Sequence, residues 1–342
     1  MSRLPRALWT RSPAKLNLDL RVVGRREDGY HLLDTVFHAL ALHDDVAVSL
    51  APGEVRIAVT ADAERLLVPA DERNLVVRAL RALQEAAGAD AGFDVRLHKR
   101  IPNGGGLGGG SSNAAAALRI GNELLARPLD PAALAALALS LGADVPFFLR
   151  GGTLRGRGVG DELTDAAPVH AHFVLLAPAY GCETAAVYKL HAELAAHRGS
   201  DTVDRNCGVP VAAVDMFRGF RNDLEPAAMQ LRPALRALRD AVGVLGFPTV
   251  RMSGSGSTLF VGFEDAAGAE RCAATLRRAL ASGAHGLVDV LVTQSEAPSG
   301  SNLPSDAPDD APDGGRDGSR GGDSLAPLSR DLPPHLHARP AT

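Results

Sequence analysis

The sequence predicts an α+β protein with two folded domains and a C-terminal tail. Its length of 342 residues corresponds to about two domains. Predicted strands cluster along the chain instead of alternating strictly with helices, which is typical of α+β folds. After about residue 297 the composition changes to mostly Pro, Gly, Ser and Asp, which cannot bury enough apolar surface to order itself. We therefore expect folded domains at 1–167 and 168–296 and a disordered tail at 297–342.

The composition excludes several classes of protein. A formal net charge of −4 and a pI near 6.3 argue against a nucleic-acid-binding surface. The three cysteines are far apart, so neither a disulfide framework nor a zinc knuckle is predicted. The N-terminal residues lack the apolar segment of a signal peptide, and no uncharged apolar stretch reaches the roughly 18 residues of a membrane span. We expect a cytoplasmic protein with no membrane or nucleic-acid partner, and its oligomeric state is left open.

Strands dominate the start of the first domain. Apolar residues alternate from Ala14 to Val22 with Lys15, Asn17 and Asp19 between them, which is the strand period of two. This alternation places the three polar residues on one face, which we expect to look into solvent or a cleft. Further strands are predicted at 36–50, 54–61 and 93–102.

Three helices complete the first domain, at 74–88, 111–126 and 130–142. Asn74 and Asp130 stand where N-cap side chains accept backbone hydrogen bonds. Gly88 is a typical C-terminal stop, and Pro131 suits a first helical turn.

The second domain is predicted to mix strands and helices in similar numbers. Strands are expected at 172–178 and 287–294, and a strand–turn–strand unit at 249–263. Helices are expected at 184–197, 224–243 and 266–283.

The stretch "PNGGGLGGGSSNAAAAL", from Pro102 to Leu118, lies between a predicted strand and a predicted helix. Glycines let the backbone approach a ligand closely, and amides at a helix N-terminus point toward an anion. Ser111 and Ser112 add hydroxyl donors. The stretch therefore predicts a phosphate-binding loop.

Several kinds of protein carry such loops. Gly104, Gly106 and Gly109 match a dinucleotide fingerprint weakly, because any dense glycine run does so and this one comes late in the chain. Gly105 and Gly110 have the spacing of a P-loop, but Ser111 stands where its lysine belongs. The third match is the GHMP kinase signature Pro-x-x-x-Gly-Leu-Gly-x-Ser-Ser-x-Ala, with one extra glycine here. The alternative without a ligand is a flexible linker, although linkers do not lead into alanine-rich helices.

Two charged residues are candidates for acid–base chemistry. Asp144, in "LGADVPFFLRGG", stands between a helix end and an apolar stretch, where an unpaired charge is costly. Lys15 is its candidate partner, since an ammonium would stabilise the carboxylate. Together they could accept a proton from an alcohol and stabilise the developing charge. The purely structural alternatives are that Asp144 ends a helix and that Lys15 lies on a solvated strand face.

Tyr30 and His31 follow a turn in "EDGYHLLDTVF". A tyrosine and a histidine on a loop can stack on a nucleobase and hydrogen-bond its edge. The alternative is a half-buried loop tyrosine with a satisfied histidine. The other histidines give no metal-ligand spacing such as HExxH, and no acidic pair stands out as a Mg²⁺ site, so the metal ligands stay unknown.

Six stretches together resemble one family of GHMP kinases, the 4-diphosphocytidyl-2-C-methyl-D-erythritol kinases. They are "PAKLNLDLRVVGRREDGYHLLDTVF", "IPNGGGLGGGSSNAAAAL", "LGADVPFFLRGG", "GVGDELT", "FRNDLEPA" and "MSGSGSTLF". Their order and rough spacing match the family over about residues 12–294. The first and third are specific to this family, whereas the glycine loop and the SGSGS turn serve the whole superfamily.

The resemblance implies roles for particular residues. Asp144 matches the catalytic base and Lys15 its paired lysine. Asn17, Tyr30, His31, Thr184 and Tyr188 match substrate-binding residues, with the cytosine near Tyr30, His31 and Tyr188. The ATP phosphate loop corresponds to Pro102, Asn103, Gly104, Gly105, Gly106, Leu107, Gly108, Gly109, Gly110, Ser111 and Ser112.

The family also implies a fold and an activity. The fold is an N-terminal domain like that of ribosomal protein S5 and a C-terminal ferredoxin-like domain, with the active site between them. The implied activity is ATP-dependent phosphorylation of the 2-hydroxyl of a cytidine diphosphate-linked methylerythritol, with Mg²⁺ expected. Two alternatives stay open: a GHMP kinase acting on another alcohol, such as homoserine or mevalonate, and a non-catalytic ligand sensor.

Overall fold

A computed structural model describes residues 6–198, 219–281, 283, 288–296 and 304–306. Its strands, in chain order, are β1 (Ala7–Arg25), β2 (His31–Pro52), β3 (Val55–Ala61), β4 (Ala91–Lys99), β5 (Thr153–Arg157), β6 (Glu162–Asp165), β7 (His172–Pro178), β8 (Arg251–Met252), β9 (Leu259–Phe263), β10 (Val288–Gln294) and β11 (Ser305–Asp306). Its α-helices are α1 (Leu75–Ala87), α2 (Gly109–Leu124), α3 (Pro131–Leu141), α4 (Val145–Arg150), α5 (Thr184–Arg198), α6 (Glu225–Leu231), α7 (Pro233–Val244) and α8 (Ala266–Leu280). A 3₁₀ turn spans Glu64–Leu66. None of these described helices is long and apolar enough to cross a membrane.

The larger sheet carries the N-terminal half of the chain. Its order is β11-β1-β2-β4-β3, and β5 pairs with both β2 and β6. The long hairpin of β1 and β2 is antiparallel, whereas β3 and β4 run parallel. α1 and α2 pack on this sheet through an apolar core that includes Leu80, Phe93 and Leu118. The alanines of α2 are buried, which allows the helix to lie close to the sheet.

The smaller sheet has the order β10-β7-β9-β8, and all its described neighbours are antiparallel. Numbered within the domain, its strands are arranged 4-1-3-2 and helices follow the first and third of them. This is the βαββαβ arrangement of a ferredoxin-like domain, so the predicted fold class is confirmed. A second apolar core, with Leu176, Leu238 and Leu276, fills the space between this sheet and its helices.

A third apolar cluster joins the two sheets. Leu16, Leu18 and Val36 of the larger sheet pack with Phe173 and Phe260 of the smaller one. The sheets separate in sequence between β6, which ends at Asp165, and β7, which begins at His172. We propose a domain boundary at residue 167 within this connection.

The structure differs from the sequence-based elements at several points. The helix predicted at 224–243 is two helices, because Pro233 lacks the amide hydrogen that would continue α6 and instead opens α7. The apolar stretch after Asp144 is the short helix α4, and β5 and β6 were not predicted. These elements are too short to display a clear period.

The tail was predicted to be unstructured from residue 297. Ser305 and Asp306 instead pair with Trp9 and Leu8 of β1, so the prediction does not hold at these two residues. The open edge of β1 offers unpaired backbone groups that even a polar segment can satisfy. The rest of the tail, apart from residue 304, lies outside the described residues.

A buried histidine ties the two sheets together and predicts a pH-dependent stability. The His38 ring bonds the hydroxyls of Thr153 and Ser295 at 2.9 and 3.0 Å. Burial, with a smaller contribution from His170, lowers its pKa to about 3. Between pH 6.5 and 3 the unfolded chain therefore binds a proton that the folded chain does not, and the free energy of unfolding falls as the pH falls.

We expect His38→Gln to flatten this dependence. One proton corresponds to a slope of about 1.4 kcal/mol per pH unit, which the variant should lose between pH 6 and pH 4. Urea unfolding at several pH values measures it. Leu154→Ala is the control, because it removes packing without removing a titratable group, and should lower stability without altering the slope. An unchanged slope in His38→Gln would contradict the prediction.

Candidate active site

A cleft with a volume of about 1160 Å³ lies between the two sheets. This volume lies just above the roughly 300–1,000 Å³ of a typical site for a drug-sized ligand. The predicted site residues that line it are Lys15, Asn17, Tyr30, His31, Gly104, Gly106, Gly108, Ser111, Asp144, Thr184 and Tyr188. The structure therefore brings every predicted substrate-side and catalytic residue into one space with part of the glycine loop.

Lys15 and Asp144 form the charged centre of this cleft. Lys15 Nζ lies 3.5 Å from Asp144 Oδ2 and 2.5 Å from Asn17 Oδ1. It also lies 5.6 Å from the centre of the Phe37 ring. The Lys15 side chain is buried, whereas that of Asp144 is 36% exposed. A buried ammonium is thus held beside a carboxylate that a ligand can reach.

Local structure explains why these side chains meet. Asp144 stands at the N-cap position of α4 but makes no capping hydrogen bond, so its carboxylate is directed elsewhere. Register shifts in β1, between Pro13 and Lys15 and again between Asn17 and Asp19, interrupt the pairing with β2. At the first shift the Lys15 amide donates to the carbonyl of Leu107 at 2.9 Å, which joins β1 to the glycine loop.

Asp19 does not belong to the cleft, although it alternates with Lys15 and Asn17. Its carboxylate is fully buried and accepts from the Arg21 side chain and from the Arg221 amide. The second register shift in β1 separates it from the two site residues. The prediction from alternation is therefore correct for Lys15 and Asn17, which line the cleft, and wrong for Asp19.

We call residues 102–112 the glycine loop. Gly108 adopts φ of +71° as N-cap of α2, and an added Cβ would lie 2.7 Å from the Phe148 ring and 3.0 Å from Lys15 Cγ. An added Cβ at Gly106 would lie 2.2 Å from the carbonyl oxygen of Ser253. Close packing against protein groups thus explains these two glycines. Among the described residues, Gly104 and Gly110 have no neighbour within 4 Å of such a Cβ.

Part of the glycine loop supports the site from outside the cleft. The members that do not line the cleft are Pro102, Asn103, Gly105, Leu107, Gly109, Gly110 and Ser112. The Ser112 hydroxyl is buried and accepts from Ser12 Oγ at 2.8 Å. The Asn103 amide donates to the carbonyl of Leu66 at 2.7 Å. These side chains hold the loop against β1 and the 3₁₀ turn.

Aromatic rings form one wall of the cleft. His31 and Tyr188 stack with centroids 4.9 Å apart and planes 29° apart, and Tyr30 is 66% exposed beside them. Burial, with help from Arg25 and His191, lowers the pKa of His31, so its ring is neutral near pH 7. Burial, and next the Asp144 carboxylate, raise the pKa of Tyr188. In the described residues, the buried His31 Nε2 has no hydrogen-bond partner.

A further segment of the site belongs to the stretch "MSGSGSTLF", whose residues have no role predicted from the sequence. We call residues 253–257, "SGSGS", the serine turn. Ser253 Oγ donates to the carbonyl of Gly106 at 3.0 Å, and the Ser255 and Thr184 hydroxyls lie 2.9 Å apart. Gly254, Ser255 and Gly256 line the cleft. The repeated Ser-Gly pattern was the available signal, but it does not say which groups the turn contacts.

Similarity to known proteins covers most of the chain. Family models for the GHMP kinases N terminal domain and the GHMP kinases C terminal match residues 74–152 and 212–282. A 4-diphosphocytidyl-2-C-methyl-D-erythritol kinase of Xanthomonas axonopodis pv. citri is 41% identical over 268 residues, which are 78% of this chain and 85% of that protein. The chain belongs to this kinase family, a branch of the GHMP kinases. A kinase of the same name from Pseudomonas entomophila is 41% identical, over 78% of this chain and 87% of that one.

Solved structures agree with this membership. A crystal structure of 4-(cytidine 5'-diphospho)-2C-methyl-D-erythritol kinase has a TM-score of 0.66 and 36% identity, covering 84% of this chain and 100% of that one. A homoserine kinase from Cytophaga hutchinsonii has a TM-score of 0.62 and 17% identity, covering 89% and 98%. L. major mevalonate kinase, in complex with R-mevalonate, has a TM-score of 0.60 and 13% identity, covering 87% of this chain and 100% of that one. The last two likenesses show the fold alone.

Family membership confirms the predicted class of enzyme. The kinase uses ATP as its phosphate donor and transfers a phosphoryl group to an alcohol. This outcome favours the GHMP interpretation of the glycine loop over the dinucleotide, P-loop and linker alternatives. It also favours the erythritol kinase branch over a kinase for another alcohol and over a non-catalytic sensor.

Proposed function

We propose that this kinase transfers the γ-phosphoryl group of ATP to the 2-hydroxyl of 4-diphosphocytidyl-2-C-methyl-D-erythritol. The products are the 2-phosphate and ADP, and the step belongs to the non-mevalonate route to isoprenoid precursors. The observation that carries the proposal is one cleft that contains a carboxylate–ammonium pair, a glycine loop and a stacked His31–Tyr188 pair. Relatives named for this substrate support it. A cytoplasmic location is part of the proposal.

Asp144 is the proposed base. Its carboxylate takes the proton of the 2-hydroxyl as that oxygen forms a bond to the γ-phosphorus. The bond from the γ-phosphorus to its bridging oxygen breaks, and ADP leaves with the electron pair. Lys15 Nζ lies 3.5 Å from Asp144 Oδ2 and stabilises the charge that develops on the attacking oxygen. Asn17 fixes the ammonium through its 2.5 Å contact and so positions both groups.

The glycine loop is the proposed site for the triphosphate. Gly104, Gly106, Gly108 and Ser111 line the cleft at the start of α2. Backbone amides and the positive end of the helix dipole favour phosphate oxygens there. Asn103 and Ser112 hold this surface in place through their hydrogen bonds with Leu66 and Ser12.

Mg²⁺ is expected with the nucleotide. Among the described residues, no group of three or more His, Cys, Asp or Glu side chains is arranged to hold a metal ion. Mg²⁺ usually keeps several waters and binds substrate phosphates with few protein ligands, so this arrangement fits an ion that arrives with ATP. The Ser111 hydroxyl at the cleft is the proposed protein ligand. When bound, the ion neutralises phosphate charge.

The aromatic wall is the proposed cytosine site. The rings of Tyr30 and Tyr188 offer faces for stacking, and the buried His31 Nε2, which has no partner among the described residues, can hydrogen-bond the edge of a base once the ring becomes accessible to it. Thr184 lines the same cleft, and its hydroxyl lies 2.9 Å from Ser255 Oγ of the serine turn. A single cleft that contains both the aromatic wall and Asp144 suits a substrate with a base at one end and an alcohol at the other.

A turnover assay tests the proposed function. Purified protein with Mg-ATP and 4-diphosphocytidyl-2-C-methyl-D-erythritol should release ADP, and ³¹P NMR should show a new phosphomonoester beside an intact diphosphate. Homoserine and mevalonate in place of the cytidyl substrate should give no ADP above background. Absence of turnover above a heat-inactivated sample would refute the proposal.

A variant of the aromatic wall separates cytosine recognition from catalysis. Loss of a base contact of about 1–3 kcal/mol should raise KM for the cytidyl substrate by roughly 5–150-fold in His31→Ala. KM for ATP should stay within about twofold. His43→Ala, which removes a half-buried histidine outside the cleft, is the control. Equal effects of His31→Ala on both substrates would exclude His31 from the cytosine site.

A further inference from the structure

The segment from Phe220 to Asp223 attaches to β1 close to the cleft. The Leu20 amide donates to the Arg221 carbonyl at 2.8 Å, and the Asp223 amide donates to the Leu20 carbonyl at 2.9 Å. Leu20 and Asn222 form a parallel bridge. The backbone of Asn222 is therefore fixed to the same strand that carries Lys15 and Asn17.

Every hydrogen-bonding group of the Asn222 side chain has a partner. Its Nδ2 donates to the carbonyls of Met252 and Gly254 at 2.9 and 2.7 Å, and its Oδ1 accepts from the Leu224 amide at 2.9 Å. The residue is 6% exposed. The buried side-chain amide thus connects the start of α6 with β8 and the serine turn, while the adjoining backbone is bonded to β1.

The serine turn, which Asn222 holds, is hydrogen-bonded to Asn17 and to Gly106 of the glycine loop. Ser253 Oγ accepts from the backbone N–H of Asn17 at 3.3 Å and donates to the Gly106 carbonyl at 3.0 Å. A Cβ added at Gly254 would lie 3.3 Å from Asn17 Oδ1, so the turn already packs closely against Asn17. Movement of the turn would therefore displace the glycine loop and the residue that holds Lys15.

We propose that Asn222 is a positioning residue for phosphoryl transfer, acting through the serine turn on Asn17 and the glycine loop. Asn222 does not line the cleft, so it has no direct contact with reacting groups. The proposal rests on the proposed function in that it assigns catalysis to this cleft. Phosphoryl transfer depends mainly on the alignment of the reactants, and misplacement by about 1 Å can cost roughly 100-fold in rate.

Asn222→Asp separates the two roles of the amide. The introduced carboxylate keeps the size and can still accept from the Leu224 amide, as aspartate does at helix starts. It cannot donate to Met252 or Gly254 and instead places a negative oxygen against two carbonyls. We expect kcat to fall roughly 10–100-fold, while the dissociation constant of an ATP analogue changes less. Asn222→Ser, which can donate one hydrogen bond, should lie between Asn222→Asp and wild type.

Asn122→Asp is the matched control. The side chain of Asn122, near the far end of α2, makes two hydrogen bonds to the backbone, donating to the Leu129 carbonyl at 3.0 Å and accepting from the Leu129 backbone amide at 2.7 Å. It does not line the cleft. The control should lose less thermal stability than Asn222→Asp, because Asn122 is only half-buried and loses one donated hydrogen bond, and it should keep its kcat. Equal kcat in the two variants, or a wild-type kcat in Asn222→Asp, would overturn the proposal.

Amide hydrogen exchange provides a test that needs no substrate. Asn222→Asp should speed exchange in peptides covering residues 252–258, whereas Asn122→Asp should not. If wild type fails to phosphorylate the cytidyl substrate, the proposed function is refuted, but faster exchange would still support the bracing by Asn222. Unchanged exchange in Asn222→Asp would refute the bracing itself, and Asn222→Ser serves as the test variant if Asn222→Asp does not fold.

Discussion

Replacement of Asp144 by asparagine is expected to lower kcat by about 10²–10⁴-fold, because the amide cannot accept the proton of the attacking hydroxyl. The change keeps the size of the side chain at the start of α4. Asp144 makes no capping hydrogen bond, so helix α4 does not depend on its charge. An ADP-release assay at saturating substrate measures the effect.

The same variant should keep its fold and its nucleotide affinity. Lys15 retains its 2.5 Å contact with Asn17, and the glycine loop does not contact the changed atom through any described hydrogen bond. Circular dichroism and titration with an ATP analogue check these two properties. A large loss of nucleotide binding would indicate that Asp144 organises the phosphate site instead of acting as the base.

Asp130→Asn is the matched control for Asp144→Asn. Asp130 is also the N-cap of a helix, and its side chain accepts from the Ala133 amide at 2.8 Å. It lies outside the cleft, and asparagine can cap as aspartate does. The control should keep wild-type turnover. Near-normal turnover in Asp144→Asn would show that Asp144 is not the base.

Gly106→Ala should disrupt both the fold and the phosphate site. The residue has φ of +78°, where an L side chain costs roughly 1–2 kcal/mol. The added Cβ would also lie 2.2 Å from the carbonyl oxygen of Ser253, a backbone atom that cannot rotate away. We therefore expect the glycine loop and the serine turn to separate. The predicted result is a fall in kcat/KM for ATP of at least about 100-fold and a lower melting temperature.

Gly53→Ala isolates the contribution of the backbone angle. Gly53 has φ of +80° in the connection from β2 to β3, and an added Cβ there would have no neighbour within 4 Å. Its substitution should lower the melting temperature slightly and leave the kinetics for ATP unchanged. The difference between the two variants measures the clash with Ser253. If both variants behave alike, the contact between loop and turn has no influence on the site.

Much of the candidate site could be predicted from local sequence patterns. Helix caps at Asn74 and Asp130 were correct because capping depends on groups within three residues. The glycine run between a strand and a helix predicted a phosphate loop, since that chemistry uses backbone amides and needs no particular side chain. Lys15 and Asp144 were paired by resemblance, and the structure brings them to 3.5 Å.

Other features could not be predicted because they depend on contacts between distant segments. Alternation placed Asp19 with Lys15 and Asn17, but register shifts in β1 and the Arg221 segment turn it away from the cleft. The glycine pattern could not distinguish Gly106, which packs against Ser253, from Gly104, where an added Cβ would have no described neighbour within 4 Å.

The sequence by itself predicted the class of enzyme, which family membership confirms, and it predicted the phosphate loop, the base and its lysine, because each depends on residue type within a short stretch. Tertiary structure decided how these stretches are held at working distance. The hydrogen bond from the Asn17 backbone amide to Ser253 Oγ joins residues 236 positions apart in the sequence. The hydrogen bond from Asn222 Nδ2 to the Gly254 carbonyl joins residues 32 positions apart. Such contacts leave no periodic signal in the chain, because their geometry is set by the packing of the two sheets.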